Sequence, residues 1–187
     1  MNQSVKKLWQ FAALFVVCAV DVYIIMQREK PPLAPSGNFN ADSLSLIIQN
    51  DLKALTDSLS HDSTNVDLLV IIGNDYFDLG NHEKAIEYYE KALSLKPDMP
   101  LVLTDCAIMY HKHGDIDKAL TYFDKAIKLK PDLAPAYFNK GLILMSDKNK
   151  PQEAIATWKK YIELEPNSEY AKLIKQQIET MQAGESQ

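Results

Sequence analysis

The 187-residue sequence is poor in cysteine, glycine and histidine, which limits the chemistry that it can support. Its two cysteines, Cys18 and Cys106, fall in an apolar N-terminal run and on the inward face of a predicted helix, so they form no disulfide framework. The glycines form no phosphate-binding loop, and no cysteine pair has zinc-site spacing. His111 and His113 are two positions apart on a predicted helix and point to different faces, which disfavours a shared metal ion. The sequence therefore predicts a protein that is not an enzyme and has no metal or cofactor.

Positive charge is also scarce, because 20 lysines and arginines stand against 25 aspartates and glutamates, for a net charge of −5. Proteins that bind nucleic acid usually carry a basic patch, so this balance predicts no nucleic-acid partner. The apolar content of 47 % is typical of a globular domain and excludes a disordered chain.

One long apolar run spans residues 8–26 and is interrupted only by Gln10 and Asp21. As a helix it would reach about 28 Å, which is close to the hydrocarbon thickness of a bilayer, ~30 Å. We therefore predict a retained membrane anchor in residues 1–30, with this run as one transmembrane helix that contacts lipid. A cleaved signal peptide is the alternative.

Two basic residues precede the apolar run and two follow it, so their count barely decides the orientation. The short N-terminal tail, the free amino group and Glu29 on the far side favour an N-terminus on the inside. The folded part would then lie across the membrane, in the periplasm if the anchor sits in a bacterial inner membrane. Asp21 is either an interfacial acid that reaches water or a polar contact with a partner's membrane helix.

A proline-rich stretch at residues 31–41 follows the anchor. Three prolines fall within five residues, and they favour extended backbone over helix. We predict a semi-rigid linker that holds the folded domain away from the lipid.

The rest of the chain contains an internal repeat of 34 residues. The stretch "GNHEKAIEYYEKALSLKP" from Gly80 recurs as "GDIDKALTYFDKAIKLKP" from Gly114. Apolar residues recur every three or four positions, which predicts two amphipathic helices in each copy. The two glycines suit helix ends that need a left-handed conformation. The copies cover 66–99, 100–133 and 134–168.

The recurring positions resemble the tetratricopeptide repeat. In the first copy they are Leu69, Gly73, Tyr76, Gly80, Ala85, Tyr89, Ala92 and Pro97, and in the second Leu103, Ala107, Tyr110, Gly114, Ala119, Phe123, Ala126 and Pro131. The third copy departs at Lys140, which replaces an apolar residue, and at Tyr161, which replaces a small one; its turn is also one residue longer. Small residues of the first helices are predicted to face small residues of the second, as in the pairs Gly73–Ala85, Ala107–Ala119 and Gly141–Ala154.

This resemblance implies an all-α fold, a right-handed α–α superhelix of about three helix pairs within residues 42–184. Each hairpin buries its apolar face only by stacking on a neighbour, so both ends need covers. We expect a leading half-repeat at 42–65, in which Leu55 and Ser58 match Tyr89 and Ala92, and a capping helix at 168–182.

The resemblance also implies a concave groove lined by the first helix of each copy, where a partner protein or peptide binds. The implied groove residues are Val70, Asn74, Phe77, Leu101, Thr104, Ile108, His111, Phe138, Asn139 and Leu142. The lining is mainly apolar, which favours an amphipathic helix or an apolar extended segment. The alternative is that the leading helix or the cap covers some of these positions, notably Phe138 and Met145.

Members of this family that bind chaperone tails hold a C-terminal carboxylate with lysines and asparagines at fixed groove positions. Asn74 and Asn139 are retained here, but Val70, Asp105 and Pro135 stand where lysine, asparagine and lysine are expected. An acid at position 105 repels a carboxylate, so the sequence disfavours this ligand.

Taken with the anchor, the resemblance implies a membrane-anchored adaptor or scaffold that assembles or assists an envelope protein complex. Small anchored members of the family assist cytochrome c maturation, pilus or secretion assembly, or envelope-protein quality control. Two alternatives stay open. The repeats could self-associate as a homo-oligomeric scaffold, or the protein could be an accessory subunit that acts through its membrane helix and Asp21.

Overall fold

The computed structural model describes residues 41–185. The predicted transmembrane helix, Asp21 and residues 31–40 of the predicted linker lie outside the described residues. Among the helices of residues 41–185, none is long and apolar enough to cross a membrane.

The described residues form an α–α superhelix of eight helices, which confirms the all-α prediction. The helices are α1 (Ala41–His61), α2 (Val66–Asp78), α3 (His82–Leu95), α4 (Pro100–His113), α5 (Ile116–Leu129), α6 (Ala134–Ser146), α7 (Pro151–Leu164) and α8 (Glu169–Glu185). Helices α2 and α3, α4 and α5, and α6 and α7 form three successive hairpins, with α1 before them and α8 after them.

Two kinds of signal set where the helices of the hairpins begin. The side chains of Asn65, Asn81 and Asp115 accept a hydrogen bond from a backbone N–H in the first turn of α2, α3 and α5. Helices α4, α6 and α7 lack such a cap and instead carry a proline at the first or second position, where its missing N–H costs nothing.

Left-handed backbone ends the first helices of the hairpins. Gly80 and Gly114 have φ of +69° and +95°, as their place in the repeat predicts. In the third hairpin the longer turn places Asn149 at φ +50°, which asparagine tolerates better than most residues.

Glycine lets two first helices approach an aromatic side chain of the second helix. A Cβ on Gly73 would lie 2.7 Å from two ring carbons of Tyr89, and one on Gly141 would lie 2.3 Å from Cδ1 and Nε1 of Trp158. The predicted pairing of these glycines with Ala85 and Ala154 leaves out the nearest neighbour, which is an aromatic ring in both hairpins. A whole ring fills the space at each glycine, because a missing Cβ leaves room for the face of an aromatic group.

Polar contacts join one hairpin to the next. Glu90 of α3 accepts hydrogen bonds from the hydroxyls of Tyr110 and Tyr122, the latter at 3.1 Å. At the next junction, Lys140 forms an ion pair of 2.5 Å with Asp124 of α5. The lysine that breaks the apolar pattern of the third copy thus has an acidic partner on the preceding hairpin.

The two ends of the array differ in how much they bury. Leu52 of α1 is buried, whereas Ser58 is exposed. The small residue of a second helix normally faces its own first helix, and no first helix for α1 lies among residues 41–185. At the other end α8 buries Ala171, Ile174 and Ile178 and leaves Lys172, Lys175, Gln176 and Glu179 exposed, which suits a terminal cap.

Candidate peptide-binding groove

The implied groove is the face formed by the first helices α2, α4 and α6, and the structure divides its ten predicted residues by accessibility. On α2, Val70, Asn74 and Phe77 are half-buried. The Asn74 side chain is turned toward its own hairpin, because its Oδ1 accepts a hydrogen bond of 2.7 Å from the hydroxyl of Tyr89. This oxygen therefore already has a partner inside the hairpin.

On α4 the predicted residues separate into an accessible pair and a buried pair. Leu101 is 60 % exposed, and His111 is half-buried with Nε2 3.2 Å from Oδ2 of Asp147. Thr104 and Ile108 are buried, and the Thr104 hydroxyl donates to the carbonyl of Pro100 at 2.9 Å. Only the two ends of α4 thus offer predicted groove residues to a ligand.

On α6 all three predicted residues, Phe138, Asn139 and Leu142, are buried. The ring of Phe138 packs between Tyr161 of α7 and Tyr170 of α8, with ring centres 5.2 and 5.3 Å apart. The capping helix therefore covers part of Phe138, which is the alternative that the sequence analysis left open. Met145, the other residue named in that alternative, is also buried.

The burial of Phe138 and Ile108 decides how the groove can be tested. An acidic side chain at either position would place a charge in the core, and this is costly without a partner. Such variants would report on folding and not on binding.

One exposed apolar residue lies beside the predicted lining of α2. Ile71 is 44 % exposed and follows Val70 directly. It lies four residues after Asp67 and four before Asp75, so the three side chains share one stripe of α2. Its exposure was not evident from the sequence, because neighbouring apolar residues of α2 such as Leu69 and Ile72 are buried.

The same accessible part of the groove is acidic. Asp67, Asp75 and Asp78 lie along the stripe of α2 that carries Ile71, and Asp105 lies one turn after Leu101 on α4. This set includes Asp105, the acid on which the sequence argument against a chaperone tail rests.

The predictions about metal ligands and about Cys106 both concern residues that the structure describes. Residues 41–185 contain no group of three or more histidine, cysteine or acidic side chains placed to hold a metal ion. Cys106 is buried, and burial raises the pKa of its thiol, with Glu90 and Asp105 adding to the shift. A protonated, enclosed thiol is a poor nucleophile.

Comparisons with known families match all three hairpins. Two family models described as "Tetratricopeptide repeat" match residues 66–99 and 134–168. A third, described as "TPR repeat", matches residues 107–148. The chain belongs to the tetratricopeptide repeat (TPR) family. TPR proteins are protein-interaction scaffolds and typically not enzymes.

Two solved structures show how the TPR fold of this chain compares with others. The first TPR domain of Spaghetti (RPAP3), bound to the HSP90 peptide SRMEEVD, is 28 % identical with a TM-score of 0.59, over 65 % of this chain and 98 % of that one. YrrB, described as a TPR protein with an unusual peptide-binding site, has a TM-score of 0.64 at 20 % identity over 71 % of this chain and 68 % of that one. The second likeness concerns the fold alone.

Among curated proteins, the TPR region resembles the photosystem I assembly protein Ycf3. The protein from Rippkaea orientalis is 40 % identical over 48 residues, or 26 % of this chain and 28 % of that protein. The one from Cyanophora paradoxa is 47 % identical over 36 residues, or 19 % of this chain and 21 % of that protein. The chain thus spans less than a third of the length of either relative.

Proposed function

We propose that this TPR protein is a membrane-anchored adaptor that holds a segment of a partner protein in the groove of its first two hairpins and thereby assists assembly of an envelope complex. The observation that carries the proposal is the pair of exposed leucine and isoleucine side chains on groove helices, Leu101 and Ile71. Exposed aliphatic side chains on a family's binding face favour apolar contact with a ligand.

The charge beside this pair defines the partner's chemistry. Asp67 is exposed and lies one turn before Ile71 along α2. A segment with aliphatic side chains and flanking lysine or arginine complements such a surface, whereas like charges oppose binding. We therefore expect a basic, amphipathic partner segment, unlike the acidic peptide in the RPAP3 complex.

The anchor and the linker support a role at a membrane. A helix over residues 8–26 would tether the domain, and a tether raises the effective concentration of a groove for partners in the same membrane. Even a weak groove then suffices. We place the domain in the periplasm of a bacterium for the reasons of charge and tail length above. The similarity to Ycf3, an assembly protein by name, fits a role in building a complex.

Peptide binding by the full-length protein in detergent micelles tests the groove. Two fluorescent amphipathic peptides share the same leucines but carry either lysine or glutamate on the polar face, and anisotropy measures their Kd. We expect the lysine peptide to bind and Ile71→Ser with Leu101→Ser to raise its Kd at least about tenfold, because two apolar contacts are lost.

Leu173→Ser is the matched control, since Leu173 of α8 is as exposed as Ile71 (both 44 %) but lies outside the groove. It should leave the Kd unchanged. Binding of the lysine peptide that is unaffected by the two groove substitutions, or an equal loss in the control, contradicts the proposal.

Replacement of residues 8–26 by an unrelated transmembrane helix tests the role of the anchor. If the anchor only tethers, the exchanged protein stays in the membrane fraction and retains the partners found by proximity labelling. Loss of those partners with retained membrane location would instead support an accessory subunit that acts through Asp21. Recovery of the original protein in the soluble fraction would contradict the anchor itself.

A further inference from the structure

A second cleft lies away from the groove, between the second helices α3 and α5. Its volume is about 860 Å³, and it is lined by residues of α3, α4, α5 and the turn after α3, with none from α2 or α6. Its apolar lining comes from Leu93, Leu103, Leu129 and Pro97. Leu93 and Leu103 are buried, whereas Leu129 is 44 % exposed. The cleft therefore has an apolar floor and one aliphatic side chain open to solvent.

Internal partners already occupy two of the acids that line this cleft. Glu87 pairs with Lys84 and Lys91, each at 2.8 Å, and the hydrogen bonds from these lysines lower the pKa of its carboxyl group. Glu90 accepts from the hydroxyls of Tyr110 and Tyr122. Burial, with the Glu90 carboxylate adding to it, raises the pKa of both phenols, so they remain donors to this acid.

Two cations on the α5 wall lack such a partner. Lys125 and Lys128 both line the cleft and, being three residues apart, lie on the same side of α5. The Lys125 ammonium stands 4.7 Å from the centre of the Tyr122 ring. Within residues 41–185 no carboxylate forms an ion pair with either lysine. Asp98, in the turn after α3, is the remaining acid of the lining.

We propose that this cleft is a second binding site, which takes an acidic peptide segment carrying a leucine-like side chain. The aliphatic side chain would pack against Leu129 over the apolar floor, and its neighbouring carboxylates would meet Lys125 and Lys128. Pockets that bind small molecules have volumes of roughly 300–1,000 Å³ and bury most of the ligand. This cleft is open along one side, so a short extended peptide segment suits it better than a small molecule. The ligand carries the opposite charge to the one expected in the groove, so the two sites would bind different partners.

Anisotropy with the full-length protein in detergent micelles tests the site. The probes are two labelled octapeptides with two leucines each, one with four glutamates and one with four lysines. We expect the glutamate peptide to bind at this cleft and the lysine peptide to bind at the groove. Lys125→Glu with Lys128→Glu should raise the Kd of the glutamate peptide about tenfold or more, since two charge contacts become repulsive.

Lys172→Glu with Lys175→Glu is the matched control, because it makes the same charge change at the same spacing on the exposed side of α8. An unchanged Kd in this control locates binding at the cleft, and an equal loss overturns the proposal by showing only attraction to overall charge. Absence of binding by the glutamate peptide also overturns it.

A third variant guards against misfolding. Lys128→Gln removes one charge without introducing another and should weaken binding severalfold with unchanged helix content by circular dichroism; an unaffected Kd would count against the site. The groove variant Ile71→Ser with Leu101→Ser should leave binding of the glutamate peptide intact. A loss there would assign that peptide to the groove and overturn the cleft.

Discussion

The contact between Gly141 and Trp158 sets two physical effects against each other, and the change Gly141→Ala measures which is larger. Helix propensity alone favours alanine over glycine by about 1 kcal/mol. Sterics oppose it, because the new Cβ would lie 2.3 Å from two atoms of the Trp158 ring and 2.9 Å from a third. Trp158 is only 1 % exposed, so the surrounding residues leave its ring no room to move away from the new Cβ.

The magnitude follows from what the ring must give up. Overpacking in a well-filled core costs about 1–3 kcal/mol. A displaced ring would also strain the hydrogen bond of 3.2 Å from its Nε1 to the carbonyl of Phe138, and an unsatisfied buried donor costs roughly 1–3 kcal/mol. After the propensity gain is subtracted, we expect the free energy of unfolding to fall by about 3 kcal/mol. For a domain of this size that lowers Tm by roughly 6–12 °C.

Thermal and urea unfolding followed by circular dichroism provide the assay. Gly73→Ala serves as a graded comparison, because its Cβ would lie 2.7 Å from the Tyr89 ring and so clash less. A second background, Trp158→Leu, removes the ring and should make Gly141→Ala much less harmful. If Gly141→Ala leaves Tm unchanged or raises it, or costs the same in both backgrounds, the steric reasoning is refuted.

Three further predictions concern single side chains. With Cys18 replaced by serine, Cys106 should resist thiol reagents in the folded protein and react fully in 6 M guanidinium, because burial raises its thiol pKa; rapid labelling of the folded form would contradict this. Burial, aided by nearby cations of α4, lowers the pKa of His82 in the folded protein. The unfolded chain therefore protonates this histidine more readily, so the free energy of unfolding should fall as the pH drops below the ordinary histidine pKa of 6.5. His82→Gln should flatten that part of a plot of Tm against pH, and an unaltered slope would exclude His82 as its source. Lys140→Met should change the free energy of unfolding by less than about 1 kcal/mol, since its pair with Asp124 is partly exposed; urea unfolding that shows a loss of several kcal/mol would make the pair essential.

Regular local patterns explain why the fold was predictable. Asn65 and Asn81 start helices through their own side chains, and Gly80 and Gly114 end them through backbone freedom. Each of these effects depends on residues within one helical turn. The 34-residue period then fixes which faces must stack, because each hairpin has one apolar side to bury.

The groove was harder to predict because accessibility depends on neighbours distant in sequence. Position within the repeat places Phe138 on the groove face, yet rings from α7 and α8 enclose it. Ile71, by contrast, was left out of the predicted lining and proves to be open to solvent. Asn74 occupies a groove position, but a tyrosine hydroxyl of the next helix binds its oxygen.

The sequence by itself determined that the described part of this protein is a row of helical hairpins, because helix starts, helix ends and apolar periodicity are local properties that repeat. Only the tertiary structure decided which surfaces remain available. It buried the third hairpin's groove residues, gave Lys140 an acidic partner and opened the cleft between α3 and α5. The physical reason is that burial and charge pairing are settled by side chains from separate hairpins, and no single stretch of sequence contains both partners.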